Sequence, residues 1–433
     1  MQQKSNKLYH LKICMATLFV ASFYNCTSAT KQEVKPRIII SSDIGGTDPD
    51  DFQSAIHLFM YADRFNIEGL ISSPYGNGRT SDFLDMIALY EKDYDKLKVK
   101  SDGFPLPDEL RNAVKQGAID AAPYKGYSNP TEGSNWLIKS AKKKSEQPLW
   151  VLVWGGLEDL AQALHDAPEI KEKIKVYWIG GPNKKWSVNA YAYIAEHHPD
   201  LWMIEANATY RGWFMDEDSS EELKGDVYYD NFIKGNSAMG NAFKNYYNGE
   251  IKMGDTPSLA YLMHGDPNDP TSESWGGRFS PIEHSSRTIF EGNSTINDTV
   301  TAYAVLEYRF NGPLSITSKD STAFEFTANN QTWPGYYVDD KTYGVRYSPK
   351  KPEKGNYVSH SDIEELNGQK GAYVSITPWP GKLANDDYML GSNWYSDIKD
   401  PNYFIKDQQG AKTVSKHRKE FLEDWAERWS WLK

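Results

Sequence analysis

Four aspartates lie within nine residues of one another in the first part of the chain: Asp43, Asp48, Asp50 and Asp51. Carboxylates placed this closely repel one another unless a cation or a helix N-terminus offsets their charge. A helix capped by Asp48 or Asp50 would account for one or two of them, but not for Asp43, which comes at a predicted strand end before two glycines. Oxygen ligands at this density suit Ca²⁺ or Mg²⁺ rather than zinc. The cluster therefore predicts a divalent-metal site.

Glycines follow the predicted strands at several further points. Taken alone, each of these segments is an ordinary turn. Together they suggest backbone that approaches a shared ligand. The segments are Ser72-Ser73-Pro74-Tyr75-Gly76-Asn77, Trp154-Gly155-Gly156 and Gly180-Gly181-Pro182-Asn183. Later in the chain, Asp255 precedes Pro257 at a predicted helix start, where it is either a helix cap or a further metal carboxylate.

The elements that must position these residues alternate along the chain. Apolar β-branched runs predict strands at residues 37–40, 68–71, 149–153, 176–179 and 202–204, and helical periodicity predicts helices at 52–60, 80–92 and 157–165. Strand followed by helix, repeated, predicts an α/β fold with a mostly parallel central sheet and helices on both faces. Ligands bind such sheets beyond the carboxyl ends of the strands, where the aspartates and glycines lie.

The pattern changes in the second half of the chain. We assign residues 36–285 to the α/β domain and residues 296–376, which include the alternating stretch Ala323-Phe324-Glu325-Phe326-Thr327, to a small β-rich insertion or subdomain. Residues 377–433 form a C-terminal segment. It ends in an amphipathic helix over about 415–431 that we expect to pack back onto the α/β domain.

The N-terminal segment, residues 1–29, has the composition of a secretory signal. Three lysines precede an apolar run over residues 13–24, which is too short to span a bilayer comfortably, so we expect no integral membrane span. Cys26 either is the lipidated first residue of a lipoprotein or lies near an ordinary cleavage site. We therefore expect an exported protein, in the periplasm or anchored by lipid to the outer membrane.

Composition limits both the covalent cross-links and the classes of binding partner that we expect. Both cysteines, Cys14 and Cys26, lie in the signal segment, so the mature chain has no disulfide. The net charge of −11 argues against nucleic acid as a partner, because nucleic acid requires a basic face.

These residues together resemble the nucleoside hydrolase family, and more closely its exported, cellulose-binding-related branch. The family opens with a strand, an Asp, a Gly and a paired Asp-Asp at a helix start, which is similar to Asp43, Gly45 and Asp50-Asp51. The segments after the later strands also look like those of the family. They are Ser72 to Asn77, Trp154 to Asp159, and Gly180-Gly181.

The resemblance implies Ca²⁺ as the cofactor and assigns roles to individual residues. The implied metal ligands are three carboxylates and one backbone carbonyl, those of Asp43, Asp51, Asp255 and Trp154. Asp43 would also deprotonate the attacking water, while Asp50 and Asn77 would hold the sugar, together with Asn183 or Asn189. The resemblance further implies a nucleoside or glycan as ligand, and family members are commonly homo-oligomers.

Two departures from the family pattern concern the leaving-group side. Gly254 stands where the family often has a His, and the segment around Asn189 contains no Glu-x-Asn pair.

From the resemblance as a whole, we expect a Ca²⁺-dependent glycosidic hydrolase that acts on a ribosyl or related furanosyl linkage. The alternative is an exported polysaccharide-binding protein that keeps the metal site without turnover, which the high aromatic content, including Trp186, Trp213 and Trp275, would suit.

Overall fold

Short apolar runs form the first six strands, and helices connect most of them. The computed structural model describes residues 34–215, 220–235, 237–314 and 318–433, so the predicted signal segment, residues 1–29, lies outside the described residues. The strands are β1 (Arg37–Ser42), β2 (Asn66–Ser72), β3 (Val114–Gln116), β4 (Leu149–Val153), β5 (Ile174–Ile179) and β6 (Met203–Ala206). The helices are α1 (Asp50–Met60), α2 (Thr80–Lys100), α3 (Pro107–Ala113), α4 (Glu132–Ala141), α5 (Glu158–Asp166), α6 (Gly181–Trp186), α7 (Val188–His197), α8 (Ala238–Phe243) and α9 (Thr256–Met263).

The remainder of the chain is mainly β-structure and ends in two helices. Its strands are β7 (Phe279–Pro281), β8 (His284–Ser285), β9 (Arg287–Glu291), β10 (Thr299–Thr301), β11 (Val305–Asn311), β12 (Thr322–Ala328), β13 (Gln331–Asp339), β14 (Thr342–Tyr347), β15 (Glu353–His360), β16 (Lys370–Ile376), β17 (Tyr388–Met389) and β18 (Trp394–Asp397). The helices are α10 (Lys412–Ser415) and α11 (Arg418–Ser430). Short 3₁₀ helices include Thr209–Trp213 after β6 and Tyr247–Gly249 before α9.

The main sheet has the strand order β3-β2-β1-β4-β5-β6-β18-β7. All neighbours pair in parallel except β7, which runs antiparallel to β18. The prediction of a mostly parallel sheet is thus confirmed. The C-terminal segment supplies β18 to this sheet, which the sequence pattern did not indicate. Strands β1 and β4 lie in the middle, so their carboxyl ends face the centre of one sheet edge.

Helices cover both faces of the main sheet. The fully buried side chains of Ile38 and Ile40 join a core on one face with α1, α2, α9 and α11, whereas Ile39 points into the opposite core with α4, α5 and α7. Helix α11 packs onto the first of these cores through Phe421 and Trp425, the face predicted from its periodicity. The sheet is therefore held rigidly from both sides, as a precise site at its edge requires.

A second eight-stranded sheet forms the β-rich part, in the order β10-β16-β15-β12-β13-β14-β11-β9. Most of its neighbours are antiparallel, and it encloses an aromatic core of its own that includes Tyr308, Phe326 and Tyr373. Alternation of buried and exposed residues along β12 explains this core, since every second side chain points inward.

The two parts meet at helix α6. The indole Nε1 of Trp333 donates a hydrogen bond to the Lys185 carbonyl oxygen (2.7 Å), and the Trp333 ring stacks on Trp186 with centroids 4.9 Å apart. Arg346 of β14 donates to the Tyr124 carbonyl oxygen (2.6 Å) and to the Asn189 side chain (3.4 Å). The β-rich part therefore supports the loops that follow β5 rather than lying apart from the main sheet.

Most element boundaries differ from the sequence prediction by one to three residues. A larger difference is in the helix predicted over 80–92, which continues to Lys100. The strand predicted over 202–204 is β6, Met203–Ala206. No helix of the described residues combines the length and the apolar character needed to cross a membrane.

Candidate functional site

The aspartate cluster lies at the carboxyl edge of the main sheet. Asp43 directly follows β1, Asp50 and Asp51 occupy the first turn of α1, and Asp255 directly precedes α9. Carboxylate oxygens of Asp50, Asp51 and Asp255 lie within 4.8 Å of one another. The fold thus joins Asp255, ambiguous in the sequence alone, to the N-terminal aspartates. It also places Asp50, which the family resemblance assigns to the sugar, among the groups that can hold a metal.

One hydroxyl group holds the Asp51 carboxylate in place, and another holds the backbone at Asp255. The Ser42 hydroxyl donates to Asp51 and itself accepts from the Ile44 N–H (3.0 Å). At the other end, the Ser258 hydroxyl donates to the Asp255 carbonyl oxygen (2.7 Å). Asp51 and Asp255 are each only 3% exposed, and the Oδ2 atom of Asp255 has no hydrogen-bond partner among the described residues. A buried carboxylate oxygen without a partner is costly, so this atom is suited to bind a cation.

Burial and mutual repulsion disfavour the charged forms of these acids. Burial raises the pKa of Asp43 to about 7, although a hydrogen bond with Asp51 opposes the rise. Burial, then the charges of Asp48 and Asp43, raise the pKa of Asp50 to about 8. The pKa values of Asp51 and Asp255 are raised as well, by burial first and then by neighbouring carboxylates. A divalent cation would relieve this repulsion.

The donor set fits a hard cation. The cluster offers carboxylate oxygens and no imidazole or thiolate, and one of its buried oxygens is unpaired. Calcium and magnesium prefer such ligands, and calcium accepts the larger and less regular coordination shell. The residues present are therefore compatible with the Ca²⁺ ion that the family resemblance implies.

Trp154 and Asn183 lie beside this cluster. The Trp154 N–H donates to the Ser41 carbonyl oxygen (2.7 Å), which aligns the end of β4 with the end of β1. A Cβ at the next residue, Gly155, would lie 2.8 Å from Asp43 Cβ, so the backbone after Trp154 runs against Asp43. The Asn183 amide donates to the carbonyl oxygens of Ile179 (3.0 Å) and Trp154 (3.4 Å).

The other two predicted sugar contacts lie in different surroundings. Asn77 is exposed in the loop after β2. Asn189 is buried; its amide donates to the Ala122 carbonyl oxygen (3.0 Å) and its Oδ1 accepts from Arg346 (3.4 Å). The described contacts thus do not join either residue to the aspartate cluster, and the Asn189 amide instead helps to hold the β-rich part. Their roles toward a sugar stay predictions.

Gly254 is confined by Asp50. A Cβ at position 254 would lie 2.4 Å from Asp50 Oδ2, and the Tyr210 ring is 3.7 Å away. The position where the family often has a His therefore leaves no room for a side chain while Asp50 keeps its place. The structure thus gives a steric reason for the departure from the family pattern at Gly254.

The sequence prediction did not include a set of three hydrogen-bonded side chains next to Asp43, those of Tyr75, Glu158 and Ser187. The Tyr75 hydroxyl donates to Glu158 Oε2 (3.0 Å), and the Ser187 hydroxyl lies 3.0 and 2.9 Å from the two Glu158 oxygens. Burial raises the pKa of Glu158 to about 7. Tyr75, Gly156 and Glu158 all belong to the strand-end segments noted above, but only the fold brings them to Ser187.

Comparison with known proteins identifies two regions of the chain. Residues 37–279 match the family model described as cellulose-binding Sde182, nucleoside hydrolase-like domain, and residues 299–362 match a domain of unknown function, DUF5060. No curated protein matches the chain.

Several solved structures are similar at low sequence identity. A nucleoside hydrolase-related hypothetical protein from Saccharophagus degradans, described as associated with carbohydrate metabolism, is 17% identical; the match covers 79% of this chain and 99% of that one, with a TM-score of 0.49. The inosine-uridine preferring nucleoside hydrolase from Bacillus anthracis is 15% identical, over 59% of this chain and 87% of that one, with a TM-score of 0.35. The purine-preferring ribonucleoside hydrolase from Gardnerella vaginalis is 16% identical, over 58% and 84%, with a TM-score of 0.33.

The family model covers more than half of the 433 residues and contains every residue of the aspartate cluster. The resemblance inferred from the strand-end motifs is thereby confirmed. The chain belongs to the family of cellulose-binding Sde182 proteins with a nucleoside hydrolase-like domain.

Proposed function

We propose that the protein is a Ca²⁺-dependent glycosidic hydrolase that acts on a ribosyl or related furanosyl linkage. The observation that carries this proposal is the meeting of Asp50, Asp51 and Asp255 within 4.8 Å, with Asp43 hydrogen-bonded to Asp51 beside them. A purely structural role would not explain the unpaired oxygen of Asp255.

Each acid has a distinct task under this proposal. Asp43, Asp51, Asp255 and the Trp154 carbonyl hold Ca²⁺, and the partly exposed Asp50 lies between the ion and a sugar hydroxyl. Bound Ca²⁺ would lower the pKa of a water molecule and orient the sugar diol. Asp43, directly after β1, accepts the proton of the attacking water. The negative potential of the cluster stabilises the oxocarbenium-like charge that develops on the ring.

The same geometry does not indicate which group leaves the sugar. Gly254 provides no acid, and Tyr75 and Glu158 are proton-bearing groups on another side of Asp43. The proposal therefore concerns cleavage of a furanosyl bond rather than release of a particular nucleobase.

The test is turnover of nucleosides and aryl furanosides by the wild type, Asp43→Asn and the exposed control Asp48→Asn. We expect wild-type activity that chelator abolishes and Ca²⁺ restores, a loss of at least ~100-fold in kcat for Asp43→Asn, and near-normal activity for Asp48→Asn. Activity that survives chelation would refute the metal role, and full activity of Asp43→Asn would refute the role of the base.

A second candidate is an exported polysaccharide-binding protein that keeps the ion without turnover. The family description as cellulose-binding favours it, and so does the absence of an acid at Gly254. Of the three tryptophans noted in the sequence, Trp186 and Trp275 are half-buried, whereas Trp213 is fully buried against Phe421 and does not face a ligand. Binding of insoluble cellulose or soluble glycan without hydrolysis of any furanoside would favour this candidate over the enzyme.

We also propose that the protein acts outside the cytoplasm, in the periplasm or as an outer-membrane lipoprotein. The sequence of residues 1–29 supports export. Mass spectrometry of the mature N-terminus distinguishes the forms, since a lipoprotein would begin at an acylated Cys26. A chain that retains residues 1–29 in the cytoplasm would contradict export.

A further inference from the structure

A cationic side chain without an ion-pair partner lies at the rim of the aspartate site. Arg211 belongs to the 3₁₀ helix Thr209–Trp213, which follows β6 at the carboxyl edge of the sheet. Its guanidinium lies 5.2 Å from the centroid of the Tyr210 ring, and its Nε is buried without a hydrogen-bond partner. Within the described part of the chain, Arg211 forms no ion pair. A largely buried guanidinium in this state is costly unless an anion joins it.

A second cation, Lys252, lies on the other side of the same rim. Its ammonium is over the rings of Tyr247 (5.0 Å) and Phe214 (5.4 Å), and it too forms no ion pair among the described residues. Its backbone is fixed from α1, because Gln53 Oε1 accepts from the Lys252 N–H (2.9 Å) while Gln53 Nε2 donates to the Glu250 carbonyl oxygen (2.8 Å). The position of Lys252 is therefore tied to the helix that carries Asp50 and Asp51.

Both cations interact electrostatically with Asp50. Burial raises the pKa of Asp50, and the Lys252 ammonium opposes that rise. The pKa of Arg211 is raised, chiefly by Tyr210 and then by Tyr303, Asp407 and Asp50. The rings of Tyr210 and Phe214, whose centroids are 6.4 Å apart, connect the two sides, since the guanidinium lies by the first and the Lys252 ammonium by the second. The Tyr210 ring also lies 3.7 Å from where a Gly254 Cβ would be, and that Cβ would meet Asp50. Asp50 is only partly buried, so a sugar held there would extend toward these cations.

We propose that Arg211 and Lys252 form an anion subsite, which recognises a carboxylate or phosphate group on the sugar that binds at the metal site. This inference rests on the proposed function for the sugar position. The planar fork of Arg211 suits two oxygens of one anion, Lys252 adds a point charge, and the flanking aromatic rings suit a sugar ring. The substrate class is therefore acidic: a uronic acid unit or a phosphorylated sugar. In the competing explanation, Arg211 and Lys252 only offset the negative charge of the aspartates and bind no anion.

The test compares two anionic probes with their neutral counterparts by calorimetry on the Ca²⁺-loaded full chain: ribose 5-phosphate against ribose, and glucuronate against glucose. We expect at least one anionic probe to bind about tenfold more tightly than its counterpart, and Arg211→Gln to remove that preference. Lys252→Gln should reduce it about threefold. Preference for ribose 5-phosphate alone assigns a phosphate ligand, and preference for glucuronate alone assigns a carboxylate.

Controls separate this inference from the proposed function. The exposed Lys244→Gln should leave the preference unchanged, and Arg211→Lys should keep part of it. All variants should still bind Ca²⁺, which also reports correct folding. Equal affinities for the charged and neutral probes in the wild type, or a preference unaffected by both Arg211→Gln and Lys252→Gln, would overturn the inference. Failure to bind Ca²⁺ would count against the proposed function alone, and the preference measured in chelator would then decide the inference.

Discussion

Gly254 shows how a single residue can control the position of a carboxylate in the proposed metal site. Because Asp50 Oδ2 occupies the space of a Cβ at position 254, any side chain there must displace the Asp50 carboxylate. The backbone at Gly254 does not require glycine, since its φ angle lies outside the left-handed region. The constraint is therefore one of space beside Asp50.

We expect Gly254→Ala to fold but to bind Ca²⁺ about tenfold more weakly, because Asp50 must rotate away from Asp51 and Asp255. Calorimetric titration with Ca²⁺ measures this change. Gly225→Ala is the matched control, since a Cβ there would meet nothing closer than 3.8 Å. Unchanged Ca²⁺ affinity in Gly254→Ala would show that Asp50 does not contribute to the ion site.

The raised pKa values of Asp43 (about 7) and Asp50 (about 8) predict how pH and Ca²⁺ act together. Both values exceed the ordinary 3.8, so the ion-free folded state takes up protons and its stability from these groups falls as pH rises from about 4 to 8. Ca²⁺ binds the ionised carboxylates and reverses that loss. The rise in Tm on exchanging chelator for Ca²⁺ should therefore be larger at pH 8, by roughly 5 °C, than at pH 5. An equal or larger rise at pH 5 would contradict this expectation.

Among the elements, the packing of α11 against α1 has a histidine at its centre. His57 is fully buried and lies against the rings of Tyr61, Trp213 and Trp425, with centroids 4.7 to 5.7 Å away. Burial, and then the charge of Arg428, lower its pKa to about 3. The neutral imidazole thus belongs to the folded state, and α11 must separate from α1 before His57 can take up a proton easily.

The pH dependence of the stability that His57 contributes is opposite in sign to that of the aspartates. Because the folded pKa lies below the ordinary 6.5, stability from His57 is present above about pH 6.5 and is lost as pH falls toward 3. Lowering the pH from 7 to 4.5 should cost the wild type ~2–3 kcal/mol through this group, and His57→Phe should not show that part of the loss. Urea unfolding at both pH values measures it. The exposed His360→Phe serves as control, and parallel losses in the wild type and His57→Phe would disprove the role of His57.

The elements also show how much of the fold and of the site could be predicted from the sequence. The cluster from Asp43 to Asp51 is local, so its composition was sufficient to predict a cation site. Asp255 required the family resemblance, because nothing in its own surroundings distinguishes a ligand from a helix cap. The Tyr75–Glu158–Ser187 group was missed because it is assembled from segments after different strands. The pair Arg211 and Lys252 was missed because about 40 residues of irregular and helical chain separate the two in the sequence between β6 and β7. The place of β18 in the main sheet was missed as well, since pairing between distant segments leaves no periodicity in the sequence.

At the scale of the whole molecule, one buried carboxylate connects the β-rich part with the main domain. Glu307 of β11 lies between the guanidiniums of Arg287 (2.7 Å), Arg309 (2.6 Å) and Arg346 (3.0 Å). Burial favours its neutral form, but these charges, that of Arg346 first, outweigh burial and lower its pKa to about 2. Arg346 in turn holds Asn189 of α7.

We expect Glu307→Gln to destabilise the protein by about 3 kcal/mol, because it leaves three adjacent guanidiniums without their common anion. Denaturant unfolding measures the change, with Glu325→Gln, exposed on β12, as the control. If the two parts unfold in one step, the midpoint should shift without a new transition. A change below ~1 kcal/mol would mean that the arginines find other partners and that Glu307 is not the link.

The position of β18 has a consequence for the order in which the protein is made. β18 lies between β6 and β7, and Ser396 pairs with Glu205 across the sheet. A ribosome that has completed residues 37–279 has therefore made every aspartate of the site but not the strand that separates β6 from β7. Until translation reaches residue 397, β6 remains an open edge, available to any other extended chain. The last strand to be made therefore closes the edge beside the strands that carry the site.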